Sequence, residues 1–442
     1  MNIQQLIDQR PMTRAQISII FLCFVLNMLD GMDVVVASFV APRIMEEWGV
    51  AAQSFGMVFS AALVGMATGA MFISPFTDVI GRRKMVLLSI IILSSGMLLT
   101  AYATTVPQLI ALRLYTGLGI GAMLASLTSL AAEYSSDKRK NLVIGFVLGG
   151  YPIGATLTGL IAAKLIPEYG WASMFIVGGL ISSVLLPVVF LLLPESLEFL
   201  IHKRPPGALK DINRILGKLN YDLLDALPNL KNEETRQGDG SVTGNIKSLM
   251  TPQMRSSTLK LWISFFLAFF TLYFLVSWIP KIAEDSGLTQ TQGAYSGAIF
   301  NFGSFFGIVT LGYISATFGL RRSIFVFMVL SAVLMILFGS FQLSVMFYML
   351  VLFVLGFFVQ GGFVGLYSVA ARIYPMEIRT TGVGWGIGLG RFGAIISPSL
   401  GGIAIGMNMP VLVIFTLFAI PFVIAGYAQY QIKSDQLDKT IN

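Results

Sequence analysis

The chain has 442 residues, of which 55% are hydrophobic and only 12% are charged, and its formal net charge is +7. Soluble globular domains carry about 25% charged residues, so this composition excludes a soluble protein and indicates an integral membrane protein. One cysteine, Cys23, excludes a disulfide framework, and one histidine, His202, excludes a histidine-rich metal site. Membrane topology accounts for the positive charge, so we expect no nucleic-acid partner. We also expect no cofactor and no metal.

Twelve apolar stretches are long enough to cross a bilayer, which takes about 20 residues per helix. They cover residues 17–41, 54–76, 85–104, 107–132, 142–166, 172–193, 258–280, 291–315, 323–341, 345–371, 381–405 and 409–430. The sequence therefore predicts an all-α membrane protein with twelve transmembrane helices. We expect an N-terminal six-helix bundle (1–193), a cytoplasmic linker (194–257) and a C-terminal six-helix bundle (258–442).

The linker itself contains a helical pattern. Leu209, Ile212, Leu216 and Leu219 recur at helical spacing, which predicts a surface helix on the linker. The stretch "ETRQGDGSVTG", residues 234–244, follows it and is predicted to be flexible.

The basic residues are distributed asymmetrically along the chain. Only Arg43, Lys164 and Lys281, of 29 lysines and arginines, fall in loops on the side opposite to the N-terminus. Cytoplasmic loops carry the excess of basic residues, so we expect both termini in the cytoplasm.

The two halves of the chain share landmarks at a constant offset. With an offset of 238, Pro42 matches Pro280 and Gly81 matches Gly319. The halves are therefore predicted to be parallel repeats of six helices each, an arrangement common in transporters.

Several motifs resemble those of a known family. The loop "SPFTDVIGRRK" resembles the signature loop of the major facilitator superfamily, with Ser74 in place of its first glycine, and the matching loop of the second half has Ala316 in place of the acid. "RLYTGLGIG" is similar to the fourth-helix pattern of that superfamily. "LDGMD", "LPESLEFL" and "GRFGA" resemble the aromatic acid:proton symporter family.

The resemblance implies a major facilitator fold and uptake of an aromatic acid with protons. Members of this family take up benzoates, hydroxybenzoates, protocatechuate, vanillate or muconate. We therefore expect a small aromatic carboxylate, protons and membrane lipid as partners, a monomer, and a place in the inner membrane of a bacterium.

Two acids lie in the first apolar stretch. Asp30 and Asp33 are three residues apart, so they share one helix face with Asn27. A charged aspartate at a helix centre costs about 2.5–3.5 kcal/mol, so we expect these side chains to line a polar cavity and to carry the coupled protons. The repeat puts Ala268 and Thr271 at the matching positions. The alternative is a structural pair neutralised by a nearby cation.

Two arginines lie inside apolar stretches. Arg113 is predicted at a depth similar to that of Asp33, so the two are candidate partners; the alternative is that Arg113 reaches the membrane surface. Arg391 lies near the midplane, with Tyr151 at the matching point of the other half. A guanidinium can hold a carboxylate through two parallel hydrogen bonds, so Arg391 is the candidate substrate anchor. A structural ion pair is the alternative for Arg391.

Further polar and aromatic side chains are candidate substrate contacts, although packing explains any single aromatic residue better than a substrate contact does. These candidates are Asn301, Gln360, Tyr151, Tyr273, Trp278, Tyr367 and Trp385.

A charged group is predicted on the cytoplasmic side. The resemblance implies that Asp78 lies near the start of the eleventh helix and latches one state of the transport cycle; the sequence context suggests that Asp78 and Glu133 are buried. The other predicted gate residues are Gly81, Arg82, Arg83, Asp137, Arg139, Glu377 and Arg379.

The alternative function is a proton-driven exporter of a small organic anion or drug with the same fold. "GGYPIGATLTG" in the fifth helix lacks the full Gly-Pro-x-x-Gly-Gly pattern that is usual in such antiporters. A sugar porter is disfavoured because the seventh helix has no glutamine cluster. A membrane enzyme is disfavoured because no nucleophile and base are paired.

Overall fold

A computed structural model describes residue 7 and residues 11–219, 221–227, 248–340 and 344–432, without the side chains of residues 141, 376, 377 and 380. Twelve helices in these ranges are long and apolar enough to cross a membrane, which confirms the predicted all-helical architecture. In chain order these spanning helices 1 to 12 are Arg14–Trp48, Ala52–Ile80, Arg82–Thr100, Val106–Glu133, Leu142–Tyr169, Ala172–Leu192, Arg255–Asp285, Gln290–Phe318, Leu320–Ser340, Val345–Ile373, Thr381–Gly406 and Val411–Tyr430.

The predicted surface helix is present at Ala208–Lys218. Ile212, Leu216 and Leu219 are buried, as their helical spacing requires. The predicted flexible stretch, residues 234–244, lies outside the described residues. A shorter helix that the sequence analysis did not predict, Leu197–Lys203, precedes the surface helix.

The chain divides into two compact units that do not coincide with the two predicted bundles. Unit 1 consists of Met1–Val34, Val64–Gly154 and Phe175–Gln237. Unit 2 consists of Val35–Leu63, Ala155–Met174 and Gly238–Asn442. The adjoining ends of spanning helices 1 and 2, and of 5 and 6, therefore pack with the second half of the chain. The bundle boundaries at residues 193 and 258 remain a prediction.

Spanning helices pack in preferred pairs within each unit. In unit 1 spanning helix 3 packs extensively against 4, and in unit 2 helix 8 packs against 10, 7 against 11 and 9 against 12.

The internal repeat is visible in backbone conformation. Gly81 and Gly319, at matching positions after spanning helices 2 and 8, both have positive φ, at 101° and 85°. Gly49 and Gly287 match in the same way, at 62° and 96°. Side chains other than glycine rarely adopt this conformation, so both halves use glycine to make the same two turns.

The repeat also appears in helix packing. Gly65 of spanning helix 2 lies against the carbonyl of Leu114 in helix 4, and Gly303 of helix 8 lies against the carbonyl of Phe353 in helix 10. Small residues let membrane helices approach closely, so the same close contact is built once in each unit.

Gly307 gives a test of this packing, because a Cβ on it would overlap with the backbone of Phe357. We expect Gly307→Ala to destabilise the protein by about 1–3 kcal/mol, since overpacking forces helices apart. The thermal unfolding midpoint of the purified protein in detergent measures this. Gly312→Ala on the same helix is the matched control, because no atom lies within 4 Å of a Cβ there. Equal midpoints for the two variants would contradict the packing argument.

Candidate functional site

An ion pair is buried inside unit 1. Nη1 of Arg113 lies 2.8 Å from Oδ1 of Asp33, and both side chains are 1% exposed. Asp30, one turn away on the same helix face, is 3% exposed. The predicted contact between Arg113 and Asp33 is present, and Arg113 does not reach the membrane surface.

The ion pair has further partners on three helices. Thr116 Oγ1 donates to Oδ2 of Asp33 at 3.4 Å, and Nη2 of Arg113 donates to Thr100 Oγ1 at 3.4 Å. The guanidinium also lies 5.0 Å from the ring centroid of Phe175. A buried ion pair needs such supporting contacts, since both charges have lost their hydration.

Spanning helix 1 is fixed in depth by close contacts with spanning helix 5. Gly31, between the two aspartates, lies against the carbonyl of Tyr151, and Gly154 lies against the carbonyl of Met28. No larger side chain fits at either glycine without moving the backbone of the other helix. These contacts therefore set where Asp30 is held relative to Tyr151.

Asn27 is fully buried on spanning helix 1, next to spanning helix 5. Its side chain is 0% exposed, and its Nδ2 donates to the carbonyl of Val147 at 2.8 Å. Spanning helix 5 is interrupted at Gly149, and carbonyls at an interruption lack their regular donor. Asn27 thus bonds to spanning helix 5 through Nδ2, whereas its buried Oδ1 has no hydrogen-bond partner among the described residues, and its substrate contact stays a prediction.

Arg391, in unit 2, differs from Arg113. Its side chain is half-buried on spanning helix 11, and it makes no hydrogen bond or ion pair with any described residue. Tyr273 and Arg391 both lie within electrostatic range of the Tyr367 side chain. The structural ion pair that was the alternative for Arg391 is therefore absent from the described part of the chain.

Aromatic rings are packed on spanning helices 7 and 10 beside Arg391. Tyr367 contacts Phe265 edge to face at 5.3 Å, and Phe363 at 5.6 Å. Phe269 contacts Phe363 at 4.7 Å and stacks on Tyr273 at 5.9 Å. We call these five side chains the aromatic group.

Glycines bring spanning helix 11 against the aromatic group. A Cβ at Gly390 would overlap with the ring of Phe269, and one at Gly386 would lie 3.0 Å from the ring of Phe265. Arg391 follows Gly390 directly, and its charge lies within electrostatic range of Tyr367 in the aromatic group.

Trp278, one of the candidate aromatic contacts, has the alternative role of a packed structural residue. It is fully buried, and its Nε1 donates to the carbonyl of Pro398 at 2.9 Å. Pro398 lies inside spanning helix 11 and has no N–H to donate to Ala394, four residues earlier. Ser397 Oγ donates to that carbonyl at 3.4 Å instead.

Spanning helices 2 and 11 are in direct contact within unit 2. Ser60 Oγ donates to the carbonyl of Ile395 at 2.6 Å and lies 2.8 Å from Ser399 Oγ. Gly402 lies against the carbonyl of Ala52. The two helices leave no room for a larger side chain here.

The remaining predicted substrate contacts differ in their surroundings. Asn301 is 4% exposed, and its Nδ2 donates to the Gly297 carbonyl of its own helix at 2.8 Å. Gln360 is half-buried and makes no hydrogen bond with the described residues. Trp385 is 39% exposed and lies 6.1 Å from the ring of Trp262.

Arg82, Glu133, Ser196 and Glu198 form an ion cluster in unit 1. Arg82 pairs with Glu133 and with Glu198, the latter at 2.9 Å. Ser196 Oγ accepts from Arg82 and donates to Glu133, each at 2.7 Å. The predicted association of Arg82 with Glu133 is present, but Ser196 and Glu198 were missed. "LPESLEFL", which places acids directly after a spanning helix, was the signal for them.

Beside the ion cluster, the buried Tyr134 connects the end of spanning helix 4 to spanning helix 1 and to the segment after spanning helix 6. Tyr134 Oη donates to the carbonyl of Glu195 at 2.8 Å, and Gln16 Nε2 donates to the carbonyl of Tyr134 at 3.1 Å. Burial raises the pKa of Tyr134, with a smaller contribution from the Glu195 carboxylate. The hydroxyl therefore stays protonated and keeps donating at physiological pH.

Several of the other predicted gate residues are more exposed than Arg82 and Glu133. Asp78 is exposed and makes no hydrogen bond or ion pair with the described residues, so the expectation that it is buried is wrong. Asp137 and Arg139 are also exposed. Arg379 Nε donates to the carbonyl of Tyr374 at 3.3 Å, whereas the side chain of Glu377 lies outside the described residues.

Among the described residues, no group of three or more histidine, cysteine or acidic side chains could hold a metal ion.

Comparison with known proteins identifies what the chain resembles. The family model described as Major Facilitator Superfamily matches residues 23–296 and again residues 261–430. The gallate transporter of Pseudomonas putida is 33% identical over 97% of this chain and 94% of its own length. The 4-hydroxybenzoate transporter PcaK of the same organism is 32% identical over 96% of this chain and 94% of its own length.

A solved structure has the same fold. The superposition on the inward open conformation of the xylose transporter XylE from E. coli covers 96% of this chain and 98% of the XylE chain. Its TM-score is 0.73, and the two sequences are 16% identical. These relatives confirm the resemblance to aromatic acid transporters of the major facilitator superfamily. Since family and relatives are membrane transporters, the prediction that the chain is not an enzyme is also confirmed.

The ion pair of Asp33 and Arg113 can be tested by removing one charge or both. Arg113→Gln leaves a buried carboxylate unpaired, which is expected to cost about 3–5 kcal/mol of unfolding free energy. Asp33→Asn together with Arg113→Gln removes both charges and should recover most of that loss. Thermal unfolding in detergent measures both, with exposed Arg139→Gln as the control. A double variant no more stable than Arg113→Gln would contradict the pairing.

Proposed function

Because the chain belongs to the Major Facilitator Superfamily, we propose that it takes up a small aromatic carboxylate together with protons, by alternating access. Candidate substrates are 4-hydroxybenzoate, protocatechuate and benzoate. Relatives named for gallate and 4-hydroxybenzoate, both hydroxylated benzoates, support this substrate class.

The observation that carries the proposal is that Arg391 lies in a membrane span without a protein partner among the described residues. A charged side chain inside a membrane span is costly unless it is paired or faces water. Arg391 has no hydrogen-bond or ion-pair partner among the described residues, whereas Arg113 forms an ion pair with Asp33. A planar guanidinium fits the two oxygens of a carboxylate, so the substrate carboxylate is the partner of Arg391.

The aromatic group supports an aromatic substrate. Rings prefer edge-to-face or offset-stacked neighbours, and the side chains next to Arg391 already use both geometries with one another. Tyr367 makes no hydrogen bond with the described residues, so its hydroxyl is available to a hydroxyl on the substrate ring. Gln360, Asn301, Tyr151 and Trp385 remain further candidate contacts.

Proton coupling is assigned to Asp30 and Asp33 with Arg113. Protonation of an aspartate removes its charge and would release Arg113 from the pair. The second half has Ala268 and Thr271 at the matching positions, so the repeated scaffold does not require acids there.

The ion cluster and the basic residues support an orientation. We place the ion cluster, Asp78, Gly81 and both termini on the cytoplasmic side, because the basic residues concentrate there. The protein would then lie in the inner membrane of a bacterium, as a monomer with gate residues facing the cytoplasm.

The role of Arg391 predicts a difference between charged and neutral ligands. Arg391→Ala should weaken 4-hydroxybenzoate binding by about 10- to 100-fold, the equivalent of a lost charge-assisted hydrogen bond. Arg391→Lys should also bind weakly, because lysine cannot form the bidentate contact. Isothermal titration calorimetry on the purified protein measures these affinities.

The matched ligand is 4-hydroxybenzamide, which is neutral and should lose little affinity in Arg391→Ala. Arg379→Ala, which removes a cation from the start of the same helix, should bind both ligands like wild type. Equal losses for acid and amide would show a structural residue and contradict the anchor.

The two aspartates predict loss of proton-driven accumulation. Asp30→Asn and Asp33→Asn should each reduce uptake of radiolabelled 4-hydroxybenzoate into proteoliposomes under a pH gradient by about tenfold or more, because a carrier that cannot be deprotonated cannot exchange its proton. Exchange of labelled for unlabelled substrate without a gradient should persist and serves as the folding control. Wild-type accumulation in both variants would rule out this assignment, and wild-type efflux without uptake would favour the exporter.

A further inference from the structure

A cavity of about 550 Å³ lies in unit 1 where the bundle meets the membrane surface. It is lined by the first turns of spanning helix 1, at Ala15 and Ser18, and by the last turn of spanning helix 6. The surface helix, Ala208–Lys218, forms its third side. The cavity therefore lies at the depth of lipid headgroups on the N-terminal side.

One wall of the cavity is basic. Arg83, Arg214 and Lys218 line it, and Arg214 and Lys218 are exposed one turn apart on the surface helix. Nε of Arg83 is buried and has no hydrogen-bond partner among the described residues. Arg83 otherwise bonds to the carbonyl of Phe190 and lies 5.2 Å from its ring centroid. Its guanidinium is thus held in place with its buried Nε donor unused.

Two acids also line the cavity but do not cancel this charge. Oε1 of Glu195 accepts from the backbone N–H groups of Arg83 at 3.0 Å and Ser196 at 2.9 Å. Asp211 is exposed, one turn before Arg214. Three cations face two carboxylates, and one of those carboxylates is already hydrogen-bonded to the backbone.

A second wall, which begins at Phe190 beside Arg83, is apolar and exposed. Phe190, Leu191 and Leu192 are 59%, 69% and 61% exposed. A soluble anion would gain nothing from this wall, whereas a molecule with a charged head and hydrocarbon chains would contact both walls.

We propose that this cavity binds the phosphate headgroup of an anionic phospholipid, with the phosphate at Arg83, Arg214 and Lys218 and an acyl chain along Phe190–Leu192. Basic side chains near the membrane surface contribute to binding anionic lipid, and buried arginine donors fit phosphate oxygens. The lipid then joins the surface helix to the ends of spanning helices 1 and 6.

The test measures binding of phosphatidylglycerol to the delipidated full-length protein by native mass spectrometry. Arg214→Ala with Lys218→Ala should weaken the tightest phosphatidylglycerol site by about 25-fold, since each basic residue contributes about fivefold. Lys218→Ala alone should weaken it by about fivefold, which keeps the test open if the double variant folds poorly. Lys138→Ala with Lys210→Ala is the matched control, because it removes two exposed cations that do not line the cavity.

Three outcomes would overturn the proposal. The first is an equal loss in the double variant and its control. The second is equal affinity for phosphatidylcholine, whose headgroup carries no net charge. The third is displacement of phosphatidylglycerol by inorganic phosphate at equal concentration, which would assign the cavity to a soluble anion.

Discussion

A charge inside the hydrocarbon layer must find a partner, and this constraint organises the membrane-spanning part of the protein. An unpaired aspartate or arginine at a helix centre costs about 2.5–3.5 kcal/mol. Asp33 and Arg113 satisfy the requirement with each other at 2.8 Å. Arg391 satisfies it with no described residue. In this structure one arginine of the spanning helices is therefore paired with an aspartate and the other has no protein partner among the described residues, and our functional proposal depends on that difference.

Glycine contacts hold both arginine sites in place. Gly31 and Gly154 join spanning helices 1 and 5 around the aspartates, and Gly386 and Gly390 join spanning helix 11 to the aromatic group on helix 7. Without a hydrophobic driving force between helices in lipid, such close packing is what fixes helix position. The charged residues can therefore be placed accurately although their own contacts are few.

The sequence predicted what depends on distance along a single helix. The twelve spans and the contact of Asp33 with Arg113 follow from counting residues. It did not predict the donor role of Asn27, because the carbonyl that it satisfies lies 120 residues away at an interruption of another helix. Burial of Trp278 and exposure of Asp78 also depend on how helices face one another, which a single sequence does not encode.

Pro398 has a mechanical consequence for Arg391. The missing backbone bond makes this point of spanning helix 11 its weakest in bending. Beyond it, Gly402 is held against spanning helix 2, while Arg391 lies on the other side, seven residues earlier, about 10 Å along the axis. A bend of about 5° at Pro398 would carry the guanidinium through about 1 Å, on the scale that makes or breaks a hydrogen bond. Pro398 is therefore the point at which spanning helix 11 can bend, and a small bend there would shift Arg391 relative to Gly402.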